Sequence, residues 1–252
     1  MRLGFFSELK GILFDYGGVI EDLQRNSDLL NRGVLELKKL LEEWGIVIEL
    51  NLLAKMLQSG QKRYEDWYQN NDFREPDIIK LWTDFLLLDI KDQIEKVLDE
   101  ERADNLSSIY EYYSYKRRVR EKIRSVIGKL YLAGYSLGVI SNTMSKSLIP
   151  ERLKMFDVER FFTTITLSIE CGYRKPNPSI FYHALREMDL KPQQCVMIGD
   201  TISRDVLGGK KAGIGKVVLM KSGITKEKDN GFGEEILPDA TINNLDEIFE
   251  IL

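Results

Sequence analysis

Short apolar runs broken by polar residues recur along most of this chain, and they predict its elements. The first run, ILF with Gly11 before it and Asp15 after it, reads as a buried strand at 11–14. Five more strands are predicted from SLGVIS at 136–141, TTITLS at 163–168, CVMIG at 195–199, KVVLM at 216–220 and ATI at 240–242. Helical periodicity separates most of them. It is clearest over 116–133, where Val119, Ile123, Val126, Ile127 and Leu130 recur at three- and four-residue steps. Gly134 follows, where a helix end needs positive φ. Further helices are predicted over 177–188, 203–212 and 244–251. Strands alternating with helices predict an α/β fold in three layers, a parallel sheet with helices on both faces.

Between residues 22 and 115 the period changes. Leu30, Val34, Leu37, Leu41 and Trp44 form one helical stripe closed by Gly45. Leu52, Leu53, Met56 and Leu57 form a second that ends near Gly60. Ile78, Ile79, Trp82, Phe85 and Leu86 form a third. No strand pattern occurs in this stretch. It reads as an all-helical insertion between the first and second strands of the sheet, placed to act as a cap.

Composition narrows the function. The 252 residues carry a net charge of −4 and no long basic block, which argues against nucleic acid as a partner. No run is apolar enough to span a membrane, and residues 3–6 are too short for the apolar segment of a secretory signal. Cys171 and Cys195 show no metal-type spacing, so a reducing cytoplasm is expected. His183 is the only histidine, which excludes a two-histidine zinc site; in SIFYHAL it reads as a half-buried packing residue. Monomer and homodimer stay equally open.

The polar residues that follow the predicted strands carry the chemistry. Asp15 ends the first strand, Ser141 and Asn142 the second, and Asp200 the fourth, while Lys175 lies on the loop after the third. In a parallel sheet those ends share one edge, where ligands bind. Asp205 lies close enough to Asp200 to support the same site. Clustered carboxylates with hard oxygen donors suit Mg²⁺. Asp15 is then placed to attack phosphorus and form an aspartyl-phosphate. Ser141, backbone N–H groups and Lys175 would hold the phosphoryl oxygens, with Gly17 and Gly18 letting backbone approach them. Taken singly, each residue also has an ordinary reading as a turn, helix cap or surface group.

Four motifs in order, FDYGGVI, VISN, the lysine of GYRKP and IGDTISRD, resemble those of the haloacid dehalogenase superfamily, specifically its phosphatases with a helical cap after the first strand. The resemblance covers nearly the whole chain. It implies a Rossmann-like core over residues 1–21 and 116–252 and a cap over 22–115. It implies that Asp15 is the nucleophile and that Asp15, the Gly17 carbonyl and Asp200 hold Mg²⁺, with Asp205 as a further ligand or a partner of the ligands. Ser141 would bind phosphate with help from the Asn142 backbone, and Lys175 would balance charge. The substrate implied is a small phosphorylated metabolite.

Gly17 departs from the family's commonest form, which has a second aspartate there to protonate the leaving oxygen. Such catalysis is typically worth ~10²–10⁴-fold. Three readings follow: a phosphatase that draws protons from water or from Glu21 or Asp22; a metal-free 2-haloacid dehalogenase; and a non-catalytic binder of phosphorylated ligand or protein. A phosphonate hydrolase is a further variant, for which Lys38, Lys39, Lys55 and Lys62 are the available cap lysines.

Overall fold

The computed structural model describes residues 9–223, 229 and 235–252; residues 3–6, read above for a secretory signal, lie outside them. The strands are β1 (Gly11–Phe14), β2 (Glu21–Arg25), β3 (Tyr115–Val119), β4 (Ser136–Ser141), β5 (Thr164–Leu167), β6 (Cys195–Gly199), β7 (Lys216–Met220) and β8 (Ala240–Ile242). Helices α1 (Ser27–Glu43), α2 (Leu50–Asn70), α3 (Ile78–Lys80), α4 (Lys91–Ile94) and α5 (Glu100–Tyr113) lie between β2 and β3. The remainder are α6 (Ile123–Leu132), α7 (Leu148–Met155), α8 (Ser168–Cys171), α9 (Pro178–Glu187) and α10 (Leu207–Lys211).

Six strands form one parallel sheet in the order β5-β4-β1-β6-β7-β8. Period-two alternation divides its side chains between two cores. Ile12, Phe14, Val139, Val196, Ile198 and Val218 face one, which α6 covers with Ile123, Val126, Ile127 and Leu130. Leu13, Ile140, Met197 and Val217 face the other, which α9 covers with Ile180, Phe181, Ala184 and Leu185. This is the three-layer α/β arrangement expected. Among the described residues no helix is long and apolar enough to cross a membrane.

Three local readings are corrected. Residues 116–133 are not one helix: 115–119 pair antiparallel with 21–25, and the helix begins at Ile123. Strand pairing also reaches into the stretch read as helix only, since β2 runs to Arg25 and β3 begins at Tyr115. The cause is long-range. Arg117 on β3 reaches the fully buried Glu21 carboxylate at 3.1 Å, a contact no local periodicity encodes. Finally, α2 passes straight through Gly60 instead of ending there. A Cβ at Gly60 would lie 2.6 Å from Leu86 Cα, so this glycine allows close helix packing.

Candidate active site

Parallel pairing of β4, β1 and β6 brings their carboxyl ends to one edge. Asp15, Ser141 and Asp200 stand there, all buried, and the loop after β5 and α8 brings in Lys175, 3% exposed. Asp205 belongs to a π-helical turn, Ile202–Val206, that precedes α10.

The Lys175 ammonium is the hub. It lies 2.7 Å from Asp15 Oδ1 and 2.6 Å from Asp205 Oδ1, and donates to the Ile140 carbonyl at 3.0 Å. Burial pulls its pKa down, but the charges of Asp15 and Asp205 together outweigh burial and raise it, so the lysine stays charged. Asp205 divides its two oxygens. Oδ1 holds the lysine, while Oδ2 accepts from the Asp200 N–H at 3.1 Å, the Thr201 N–H at 3.0 Å and the Thr201 hydroxyl at 2.6 Å. Asp200 accepts the Ser222 hydroxyl at 2.6 Å, and Asp15 accepts the Tyr16 N–H at 2.7 Å. One carboxylate oxygen from each of Asp15, Asp200 and Asp205 lies within 4.8 Å of the others. Three hard oxygen donors at that spacing fit a small divalent cation.

Gly18 fits this cluster for a steric reason. Its φ is +89°, and a Cβ there would lie 2.1 Å from Asp200 Oδ2. Gly17 differs: a Cβ would meet only the tip of Leu23, Cδ1, at 2.8 Å. A leucine of β2 therefore borders the space into which a side chain at position 17 would grow.

Neither acid suggested as a proton source for this site is placed for it. Glu21 is fully buried and accepts from the Tyr16 hydroxyl at 2.9 Å, from Arg117 at 3.1 Å and from Arg152. Burial raises the Tyr16 pKa, and the Glu21 charge adds to it, so the hydroxyl stays protonated. Asp22 pairs with Arg120 at 2.7 Å. Neither acid lines the cavity described next.

A cavity of about 440 Å³ opens over Asp15, Ser141 and Lys175, and Gln61, Glu65, Tyr68 and Tyr110 from the helices between β2 and β3 line its other side. Arg25 lines it as well. Arg63 instead donates to the Phe85 carbonyl, Trp67 packs on Phe85, and Arg32 lies over the Tyr113 ring. Lys38, Lys39, Lys55 and Lys62 are not among the lining residues.

Sequence reasoning named Asn142 but missed what its side chain does, and it missed the residues that join the helices between β2 and β3 to the site loops. Asn142 exchanges two hydrogen bonds with the Lys175 backbone, accepting at 2.8 Å and donating at 3.0 Å, so its side chain ties two site loops together. Glu111 on α5 accepts the Met144 N–H at 2.9 Å, the Ser145 N–H at 3.2 Å and the Thr143 hydroxyl. Asp104, two turns earlier, accepts the Ser145 hydroxyl at 2.9 Å and the Lys146 N–H at 2.5 Å. Arg174, beside Lys175, pairs with Glu75 at 2.6 Å and bonds the Tyr64 hydroxyl. Its place next to Lys175 in GYRKP was the only available signal. The acids of α5 look like an ordinary solvated helix face until the loop beneath them is known.

Comparison with known proteins bears on the family and the fold. A glyceraldehyde 3-phosphate phosphatase from Methanothermobacter thermautotrophicus is 35% identical over 119 residues, 47% of this chain and 52% of that protein. The chain thus spans about half the length of that relative. A protein of the same name from Pyrococcus furiosus is 30% identical over 142 residues, 56% of each chain. Pyrophosphatase PpaX from Bacillus mycoides is 22% identical over 73% of this chain and 83% of its own. Among solved structures, a HAD phosphatase from Thermococcus onnurineus superposes with a TM-score of 0.60 at 22% identity, covering 96% of this chain and 97% of its own. A 2-haloacid dehalogenase from Pseudomonas syringae pv. tomato does so with a TM-score of 0.64 at 18% identity, with the same coverage. At such identities the structures establish the fold alone. The model of the haloacid dehalogenase-like hydrolases matches residues 53–219, a span that holds Ser141, Lys175, Asp200 and Asp205. That match takes in well over half of the residues, and the chain therefore belongs to the haloacid dehalogenase-like hydrolase family.

Proposed function

We propose that this hydrolase is a Mg²⁺-dependent phosphatase of small phosphorylated metabolites, acting through an aspartyl-phosphate on Asp15. The observation that carries the reading is the meeting of Asp15, Asp200 and Asp205, two of them paired with a charged Lys175, at one wall of the cavity. The carboxylates of Asp15, Asp200 and Asp205 and the Gly17 carbonyl would hold the cation. When bound, the cation screens Asp15 from the charge of the incoming phosphate and stabilises negative charge on the phosphoryl oxygens.

An Asp15 oxygen forms a bond to phosphorus as the bond to the leaving oxygen breaks. Lys175, the Ser141 hydroxyl and nearby backbone N–H groups such as that of Asn142 hold the phosphoryl oxygens as charge shifts. With no side chain at Gly17, the leaving oxygen takes its proton from water. Water then attacks the phosphorus of the aspartyl-phosphate, releasing phosphate and restoring the Asp15 carboxylate.

Two alternatives have weaker support. A metal-free dehalogenase needs no leaving-group acid, consistent with Gly17, but gives no reason for three carboxylates to gather at a spacing that fits a cation. A phosphonate hydrolase needs a lysine near the substrate, and the four cap lysines do not line the cavity.

An aryl phosphate assayed with Mg²⁺ and with chelator, beside an Asp15→Asn control, tests the reading. Turnover that requires both metal and Asp15 is expected. Absence of metal-dependent turnover there and across a metabolite panel overturns it, and halide release from a 2-haloacid in chelator would favour the dehalogenase.

A further inference from the structure

Arg120 closes the run KRRVR just past β3, yet only 14% of its side chain is exposed. Its guanidinium joins three separate segments. Nε donates to the Gly18 carbonyl at 2.9 Å, and Nη2 to the same oxygen at 2.6 Å. Nη2 also donates to the Lys221 carbonyl at 3.4 Å and pairs with Asp22 at 2.7 Å. One planar cation therefore ties the turn after β1 to the loop after β7. That loop is anchored a second time, because the Lys221 N–H donates to the Ile242 carbonyl at 3.0 Å, next to β8.

The residue after Lys221 reaches the acid cluster. The Ser222 hydroxyl donates to Asp200 Oδ2 at 2.6 Å, a short bond of the charge-assisted kind. The same oxygen packs against Gly18, where a Cβ would lie 2.1 Å from it. Asp200 Oδ2 is thus enclosed by Ser222 and Gly18, which stand on the two loops that Arg120 joins. A carboxylate fixed through one oxygen presents the other in a set direction. The Ser222 bond therefore determines how Asp200 Oδ1 meets the oxygens of Asp15 and Asp205. Neither Ser222 nor Arg120 is among the residues that line the cavity, so their effect reaches the site through Asp200 and the Gly17–Gly18 turn.

We propose that Ser222 is a positioning residue for the divalent cation. It aims the Asp200 carboxylate, and Arg120 holds the loop that carries it against the Gly17–Gly18 turn. The proposal rests on the reading of Asp15, Asp200 and Asp205 as a cation site.

Mn²⁺ is the probe, because its electron paramagnetic resonance signal falls as the free ion binds and needs no turnover. The native protein is expected to bind Mn²⁺ in competition with Mg²⁺. Ser222→Ala should weaken that affinity by ~10-fold or more, the usual effect of removing a group that orients a metal ligand. Ser222→Thr keeps the hydroxyl and should recover most of the loss. Arg120→Met frees the loop and should weaken binding as well. Thermal melts in chelator report that each variant has folded. With aryl phosphate, the variants should need more Mg²⁺ for half-activation while KM for the ester at saturating Mg²⁺ stays near the native value. Native Mn²⁺ affinity in folded Ser222→Ala or Arg120→Met, or a Ser222→Thr no tighter than Ser222→Ala, overturns the proposal and leaves the phosphatase reading intact. A native protein that binds no Mn²⁺ removes both.

Discussion

In the proposed reaction Gly17 is the position where an added side chain should change the rate most. It sits two positions after Asp15, where a carboxylic acid would protonate the leaving oxygen, and Leu23 borders the space that acid would enter. Gly17→Asp alone must push Leu23 Cδ1 aside. The double variant Gly17→Asp/Leu23→Ala opens that space and is expected to raise kcat on alkyl phosphates by ~10²-fold or more. The gain on an aryl phosphate, whose leaving group needs no acid, should be far smaller. Steady-state kinetics on both substrate types decide it, and an equal effect on the two would place the limiting step elsewhere. Lys175 is the residue on which the site's stability depends. Lys175→Met leaves Asp15 and Asp205 facing each other without the shared ammonium, and losing one partner of a buried ion pair costs about 3–5 kcal/mol. Urea denaturation in the presence of chelator should show that loss.

At the scale of elements, legibility followed how local each determinant is. The strands 136–141, 195–199 and 216–220 were readable to the residue, because a continuous apolar run marks a strand buried on both faces. The segment KRRVR was not, because its strand state comes from pairing with β2 and from Arg117 meeting Glu21, 96 positions away. Helix α5 was legible as an element but not as a latch. Glu111 accepts three donors on two oxygens, and Gln at that position has only one acceptor oxygen. Glu111→Gln should therefore destabilise the protein by about 1–3 kcal/mol. Burial, the largest influence, raises the Glu111 pKa despite the donors from Thr143 and Met144. The folded chain thus binds a proton at Glu111 more readily than the unfolded chain does, and this group's contribution to stability falls as pH rises from the ordinary carboxylate value through the raised one. The variant should lack that slope, as thermal melts of both proteins between pH 4 and 7 would reveal.

For the whole molecule, side chains from the helices between β2 and β3 are bonded to the loops at the sheet edge. Asp15, Ser141 and Asp200 were nameable from sequence because strand ends in a parallel sheet must converge, whatever separates them along the chain, and Lys175 and Asp205 because they follow such ends within a few residues. What the cap contributes was illegible for the opposite reason, since the aim of a side chain across a domain boundary has no local signature. Glu111 and Asp104 grip the loop after β4, and Glu75 grips Arg174 beside Lys175, so the cap holds both loops that carry the site. Motion of the cap would then disturb Ser141 and Lys175 together and couple substrate entry to assembly of the site. All of this presupposes that phosphorus is transferred to Asp15. The direct measurement is to quench the protein in acid during turnover of an aryl phosphate with Mg²⁺ and locate the phosphoryl group by peptide mass spectrometry. The account predicts one phosphoryl group on the peptide containing Asp15, absent in Asp15→Asn. Turnover with no phosphoryl group on the protein, or with the group on another residue, would contradict it.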